Sequence, residues 1–300
     1  LLCDEGHDVV VLDDLSLGSK KAVDKRAIFI EGSILNNDDL NRSLSDIETV
    51  IHLAAYKSAG ESMRDPQKYS QNNVLGSRGL LSAMIEKNIK NIIFSSSAAV
   101  YGVPEYLPLD EKHPLKPINH YGYTKLQTEK TIDLYANKKQ IMYANLRYFN
   151  AAGYDAQGRI RSLEKNPANL IPSVMEVASG KRDKLLIYGN NFDTDDGTGV
   201  RDYVHVSDLA RAHLAALELI LRNQCATINL GSEKQYSVMD IIRMTEKITG
   251  KEIPYEVVGR REGDPDKIYA SSENAQNILK WSAEESELDN IIETTWRLYK

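Results

Sequence analysis

Two groups of residues in this chain could move a proton on and off an alcohol. They are Tyr121 and Lys125, within Tyr-Gly-Tyr-Thr-Lys, and the serines Ser95-Ser96-Ser97 that precede them. A tyrosine and a lysine four apart share one face of a helix. There an ammonium favours the phenolate and lowers the phenol's pKa. A serine ending the preceding strand can hydrogen-bond the same reacting oxygen. Such a trio suits proton transfer at an alcohol while a cofactor moves the hydride. The spacing alone is not specific. A second pair, Tyr135 and Lys139, reads as an ordinary solvated helix face. The first pair differs in context: an apolar run ends in the serines, a loop follows, and the pair then opens a helix.

Those residues need elements to hold them. Val9 to Leu12, Ala27 to Ile30, Thr49 to Leu53 and Ile92 to Phe94 read as strands, the first of them buried. Asn72 to Ile89 carries apolar residues at helical spacing, and a helix is expected from Tyr121 to Ala136. Ile141 to Phe149 is strand-like again. This alternation argues for an α/β fold with a doubly wound parallel sheet, which binds ligands at the carboxyl ends of its strands. After Gly153 the character changes. Residues 155–169 are polar and irregular, and shorter α and β units follow, including a helix that Ser207 would cap and that runs to Leu221. The expected organisation is a first domain over 1–153 and a smaller substrate domain over 154–300. A segment near 200–222 is expected to return to the first.

Composition narrows the partners. Of 300 residues 42% are hydrophobic and 27% charged, and the formal net charge is −6. With no long basic run, nucleic acid and acidic membrane are unexpected partners. An anionic small molecule can still be held if a few arginines converge. Cys3 and Cys225 make neither a disulfide framework nor a metal site, and the six histidines lack zinc-like spacing. No metal is expected, and a reducing, cytoplasmic setting fits. No apolar run reaches membrane-spanning length.

Several stretches in order carry a resemblance. They include Gly6 to Leu15, His52-Leu53-Ala54-Ala55, Asn72-Asn73-Val74 and Phe94 to Gly102. Further on come Leu146 to Asn150, Asn169 to Pro172, Asp195 to Val206 and Arg260 to Asp264. Together they resemble the extended short-chain dehydrogenase/reductase superfamily and, within it, the UDP-glucose 4-epimerases. The resemblance implies a Rossmann-type NAD-binding domain and a smaller α/β substrate-binding domain. In that family a first strand and a Gly-x-x-Gly-x-x-Gly turn come earlier. Here the sequence opens within the helix after that turn, so an N-terminally truncated record is expected.

The resemblance also assigns roles. For NAD it implies Asp13 on the adenosine ribose, with Asp14 sharing the task, and contacts from Leu53, Ala54, Ala55, Lys57, Asn72 and Tyr148. Ser33 and Ile34 stand where the family has an acid against adenine. Tyr121 would be the acid/base, Lys125 would hold the nicotinamide ribose, and Ser97 would bond the sugar hydroxyl. Asn150, Asn169, Leu170, Leu186, Tyr188, Arg201, Arg261 and Asp264 would hold the nucleotide sugar, the arginines on its diphosphate. Taken singly, Asp13 could be a loop cap, Ser97 a turn hydroxyl, and each arginine a surface ion pair. Ile268, or Tyr269 if the loop shifts by one, replaces the family's tyrosine near the sugar.

The implied reaction is epimerisation at C4 of a UDP-hexose. The sugar is oxidised transiently to a 4-keto form and then reduced on its other face, with NAD retained. UDP-N-acetylglucosamine is the alternative substrate. A 4,6-dehydratase would need an acid pair where Ala98 and Ala99 stand. A non-catalytic NAD-binding protein would not need Ser97, Tyr121 and Lys125. A homodimer through the helices of 72–89 and 121–136 is also implied.

Overall fold

The first layer begins with β1 (Val10–Asp13) paired in parallel with β2 (Ile28–Glu31). Helix α1 (Asn37–Ser43) then leads to β3 (Thr49–His52). Short helices α2 (Ala59–Arg64) and α3 (Pro66–Tyr69) run into a π-helical turn, Ser70–Gly76, that continues as α4 (Ser77–Glu86). β4 (Asn91–Ser97), α5 (His120–Asn137) and β5 (Met142–Tyr148) complete the expected alternation. This is a computed structural model, and it describes residues 1–138, 140–160, 162–164, 167–261 and 263–300. Lys139 of the second tyrosine–lysine pair and Glu262 lie outside the described residues.

The parallel strands of the first layer form two hydrogen-bonded sheets among the described residues. β1 and β2 make one, and the other has the order β10-β5-β4-β3, where β10 is Ala226–Leu230. β1 is therefore half-buried throughout rather than buried as its β-branched run suggested, because only one of its edges is paired. β4 is central. Ile92, Ile93 and Phe94 are almost wholly inaccessible, since α4 and α5 cover one face and α7 (Val206–Leu221) the other. Parallel strands covered on both faces are expected to be such continuous apolar runs.

The chain crosses between layers after β6 (Asn150–Ala152), which pairs with β9 (Tyr203–His205). The second layer holds α6 (Leu170–Ala178), β7 (Leu185–Tyr188), the short β8 (Val200–Arg201) and β11 (Tyr236–Ser237), and α8 (Val238–Thr249). β12 (Tyr255–Val258), β13 (Lys267–Ile268) and α9 (Leu288–Trp296) follow. Its core joins α6, α8 and α9 to Leu185 and Ile187. α7, β10 and the segment from Ala275 to Trp281 pack on the first layer instead. The expected cap of α7 is displaced by two residues. His205 takes the position because its Nδ1 accepts from the Ser207 backbone N–H at 3.1 Å.

Candidate active site

Tyr121, Lys125 and Ser97 meet at the carboxyl end of β4. α5 starts there because Asn119 accepts from the Gly122 N–H at 2.8 Å and Ser62 of α2 accepts from the Tyr121 N–H at 3.0 Å. Thr124 Oγ1 donates to the Tyr121 carbonyl and accepts from Asn73, which also holds both backbone polar groups of Tyr56. The helix start is thereby tied to the loop after β3. Gly122 permits the close approach. A Cβ on it would stand 2.3 Å from the Ala99 carbonyl oxygen, in the turn that follows Ser97. A larger residue would push Tyr121 away from that serine.

Lys125 is 3% exposed, and its Nζ donates to the Ser95 carbonyl at 2.6 Å. The ammonium lies 5.0 Å from the Phe94 ring centre and 5.8 Å from that of Tyr121. Burial pulls its pKa down to about 7, with Glu129 opposing. Tyr121 is displaced upward by burial, and its hydrogen bond with Ser97 only partly offsets this. The acidification expected from the sequence is therefore not what the protein alone produces. Desolvation disfavours both charged forms and outweighs their spacing on the helix.

A buried cation of this kind costs stability. Below about pH 7 Lys125 is charged whether folded or unfolded, and the full desolvation cost is present. That cost fades as pH rises toward the unfolded value of 10.5. We expect Lys125→Met to raise the thermal midpoint by about 2–4 °C at neutral pH, the gain shrinking in alkali. The same variant should lose roughly 10²-fold or more in turnover. Melting curves at several pH values, beside kcat, test both.

The other expected cofactor residues lie around the carboxyl ends of β1, β2, β3 and β5. Asp13 ends β1 and accepts from the Leu15 N–H at 2.7 Å, so it caps its own loop as well as facing outward. Asp14 is exposed and caps Ser16. Leu53 and Ala54 are exposed and Ala55 half-buried, leaving a small, apolar floor. Tyr148 donates to His213 Nε2 at 2.7 Å, because His213 Nδ1 is committed to the Leu209 carbonyl. Lys57 is paired with Glu164 at 2.9 Å, and Asn72 donates to Asn73. Ile34 is a core residue. Ser33 donates its N–H to Asp39, an acid that local spacing did not single out. An acid at the end of β1, an apolar floor and a buried lysine beside a tyrosine suit the ribose and nicotinamide ends of a dinucleotide.

Of the residues expected to hold the nucleotide sugar, Arg261 and Asp264 line one cavity. A cavity of about 790 Å³ is lined by Val103, Pro104, Leu107, Arg261 and Asp264, among others. Its lining does not include Tyr121 or Ser97. Arg261 stacks 3.7 Å over the Tyr188 ring, and Arg260 lies 3.9 Å over Phe192. Arg201 has no carboxylate partner among the described residues, and burial lowers its pKa. A desolvated guanidinium with no carboxylate in ion-pair contact suits a phosphate. Asn169 caps α6 with its side chain free of a capping bond, and Asn150 donates to the Asp202 carbonyl at 2.8 Å. Leu186 is exposed, while Leu170 is half-buried against the second core. Among the described residues no cluster could hold a metal.

Comparison with known proteins places this geometry. The profile of the NAD dependent epimerase/dehydratase family matches residues 1–231. A UDP-glucose 4-epimerase of Lactobacillus helveticus is 42% identical over 302 residues, covering 100% of this chain and 92% of that protein. The structure of UDP-glucose 4-epimerase from Brucella ovis in complex with NAD superposes with a TM-score of 0.96 at 40% identity, over 99% of this chain and 92% of that one. The UDP-Glc/GlcNAc 4-epimerase of Campylobacter jejuni gives 0.85 at 32%, over 99% and 93%. The family match over residues 1–231 and the 42% identity over the whole chain show that this chain belongs to the NAD dependent epimerase/dehydratase family.

Proposed function

We propose that this protein interconverts UDP-glucose and UDP-galactose by NAD-dependent epimerisation at C4. The observation that carries the reading is the convergence of Tyr121, Lys125 and Ser97 at the end of β4, in a chain so similar to the epimerases compared above. NAD, when bound, supplies a reversible acceptor for the C4 hydrogen. Asp13 would hold its adenosine ribose, and Lys125 and Tyr148 would hold its nicotinamide end. Tyr121 takes the proton of the C4 hydroxyl and returns it after the sugar has turned over. Ser97, beside Tyr121, bonds the same hydroxyl. Arg201 and Arg261 hold the diphosphate through both half-reactions, so the sugar can rotate without leaving.

Purified protein supplied with NAD⁺ should convert UDP-glucose to UDP-galactose without added reductant and without net reduced cofactor. Absence of product, or product only in proportion to consumed NAD⁺, would refute the assignment. Ile268 favours a second reading of the substrate. It is half-buried beside Leu109 and Phe149 at the position that resembles the family's sugar-side tyrosine. A different side chain there leaves room for an N-acetyl group, and UDP-N-acetylglucosamine assayed alongside decides between them.

We also assign a homodimer and a reducing, cytoplasmic setting. Leu75, Tyr123 and Leu134 are exposed on the adjoining π-helical turn and α5, an apolar strip suited to a second copy. Both cysteines are free. Among the described residues no helix is long and apolar enough to cross a membrane.

A further inference from the structure

One turn beyond Lys125, α5 places Glu129 inside the protein at 3% exposure, opposite Arg147 of β5 at 4%. The pair is bidentate: Arg147 Nε donates to Oε1 at 3.0 Å and Nη2 to Oε2 at 2.7 Å. Ser96 Oγ donates to the same carboxylate. Arg147 Nη1 donates to Tyr101 at 3.0 Å, and Tyr101 donates to Asn229 of β10 at 2.6 Å. Successive turns of α5 thus grip successive residues of β4. Tyr121 meets Ser97, Lys125 holds the Ser95 carbonyl, and Glu129 holds the Ser96 hydroxyl.

We infer that Glu129, clamped by Arg147, is a positioning residue for the epimerase reaction, fixing the end of β4 against α5 and supplying the counter-charge to the Lys125 ammonium. The inference rests on the function proposed above. The groups facing Lys125 support it. From β3 comes His52, which burial keeps neutral with a pKa of about 3, and from β4 the Phe94 ring and the Ser95 carbonyl. From α5 come Tyr121 and Glu129, with Asp133 beyond; from β5 come Arg147 and Tyr148. Glu129 is the group that opposes the loss of charge by Lys125. Tyrosine and lysine share protons as a coupled pair. Phenolate with ammonium is productive, whereas phenol with amine is idle. Each unit by which Lys125 falls multiplies the idle share by about ten.

The test uses NAD-loaded enzyme, with kcat expressed per NAD-loaded site so that misfolded chains do not count. Glu129→Gln removes the charge. Glu129→Leu with Arg147→Met removes the whole pair, a replacement that buried ion pairs often tolerate. Both variants should lose about tenfold or more in kcat, with the KM for UDP-glucose within about twofold. In Glu129→Gln, which leaves the Arg147 charge uncompensated, the limb of the kcat–pH profile governed by Lys125 should move down by about one unit. Wild-type kcat per site and an unmoved limb would overturn the inference, whatever happens to the melting temperature. Loss of NAD binding in both variants would also overturn it, since the pair would then serve the fold alone. An inactive wild type would instead overturn the function it rests on.

Discussion

Replacing Tyr121 with phenylalanine should cut turnover by roughly 10³-fold and leave NAD and UDP-sugar bound. The substitution removes one oxygen. The ring stays, so packing against the neighbouring Lys125 and the start of α5 is kept. That start is capped through the Tyr121 backbone N–H, which phenylalanine retains. Ser97 keeps its bond from the Ala99 N–H at 3.2 Å and its place at the end of β4. What disappears is the group that takes the hydroxyl proton as the C4 hydrogen departs. Binding residues contribute equally to ground and transition states, whereas this proton transfer exists only in the latter. The loss should therefore sit in kcat, with KM little changed. A Tyr121→Phe enzyme turning over within tenfold of wild type would show that another group handles the proton. Burial sharpens the expectation. The protein alone holds this phenol above its ordinary pKa, so ionisation needs the positive charges that gather around it, Lys125 and the oxidised nicotinamide. Turnover should accordingly rise with pH as the pair gives up its first proton and fall where it gives up the second, a rise absent from the phenylalanine variant.

The elements were legible because their periods are strong. β4 reads as a strand since three buried apolar residues precede its serines. The site was legible where it is sequential: Tyr121 and Lys125 are four apart on one helix. The uneven parts share one cause, contact between distant residues. β1 reads as buried from its composition, but burial depends on what pairs with its second edge. The pKa direction of Tyr121 depends on how much of the site is dry, which local spacing does not record. Asn73, Ser62 and Gly122 position the helix start through partners 50 or more residues away or through a single close carbonyl. Glu129 did leave a trace, standing four residues after Lys125 as Lys125 stands after Tyr121. Its meaning came only with Arg147 folded opposite.

Truncating Asp202 should cost the fold heavily. It is fully buried, and its carboxylate accepts four hydrogen bonds. Two come from Ser232, through N–H at 2.8 Å and Oγ at 2.7 Å. The others come from the N–H groups of Glu233 and Ala270, each at 3.1 Å. Its carbonyl accepts from Asn150, and its own N–H donates to the Ile268 carbonyl at 3.1 Å. One residue therefore ties the exit of β10, the β13 segment and β6 together. Even Gly231 is shaped around it, for a Cβ there would lie 2.5 Å from the carboxylate. Asp202→Ala leaves four donors without an acceptor in a dry site. The loss should be about 3–5 kcal/mol, or on the order of 10 °C in thermal midpoint. It should also weaken UDP-sugar binding, because Ile268 and Arg201 lose the frame that sets them. Arg201→Met supplies the contrast one position away. Its guanidinium has no carboxylate partner among the described residues and is held down by burial, so removing it relieves a cost. That variant should melt no lower than wild type yet raise the KM for UDP-glucose tenfold or more. Two adjacent residues then separate cleanly, one carrying the junction of the layers and the other the substrate's charge. Equal melting of wild type and Asp202→Ala would show that the donors find other acceptors and that the junction is held elsewhere.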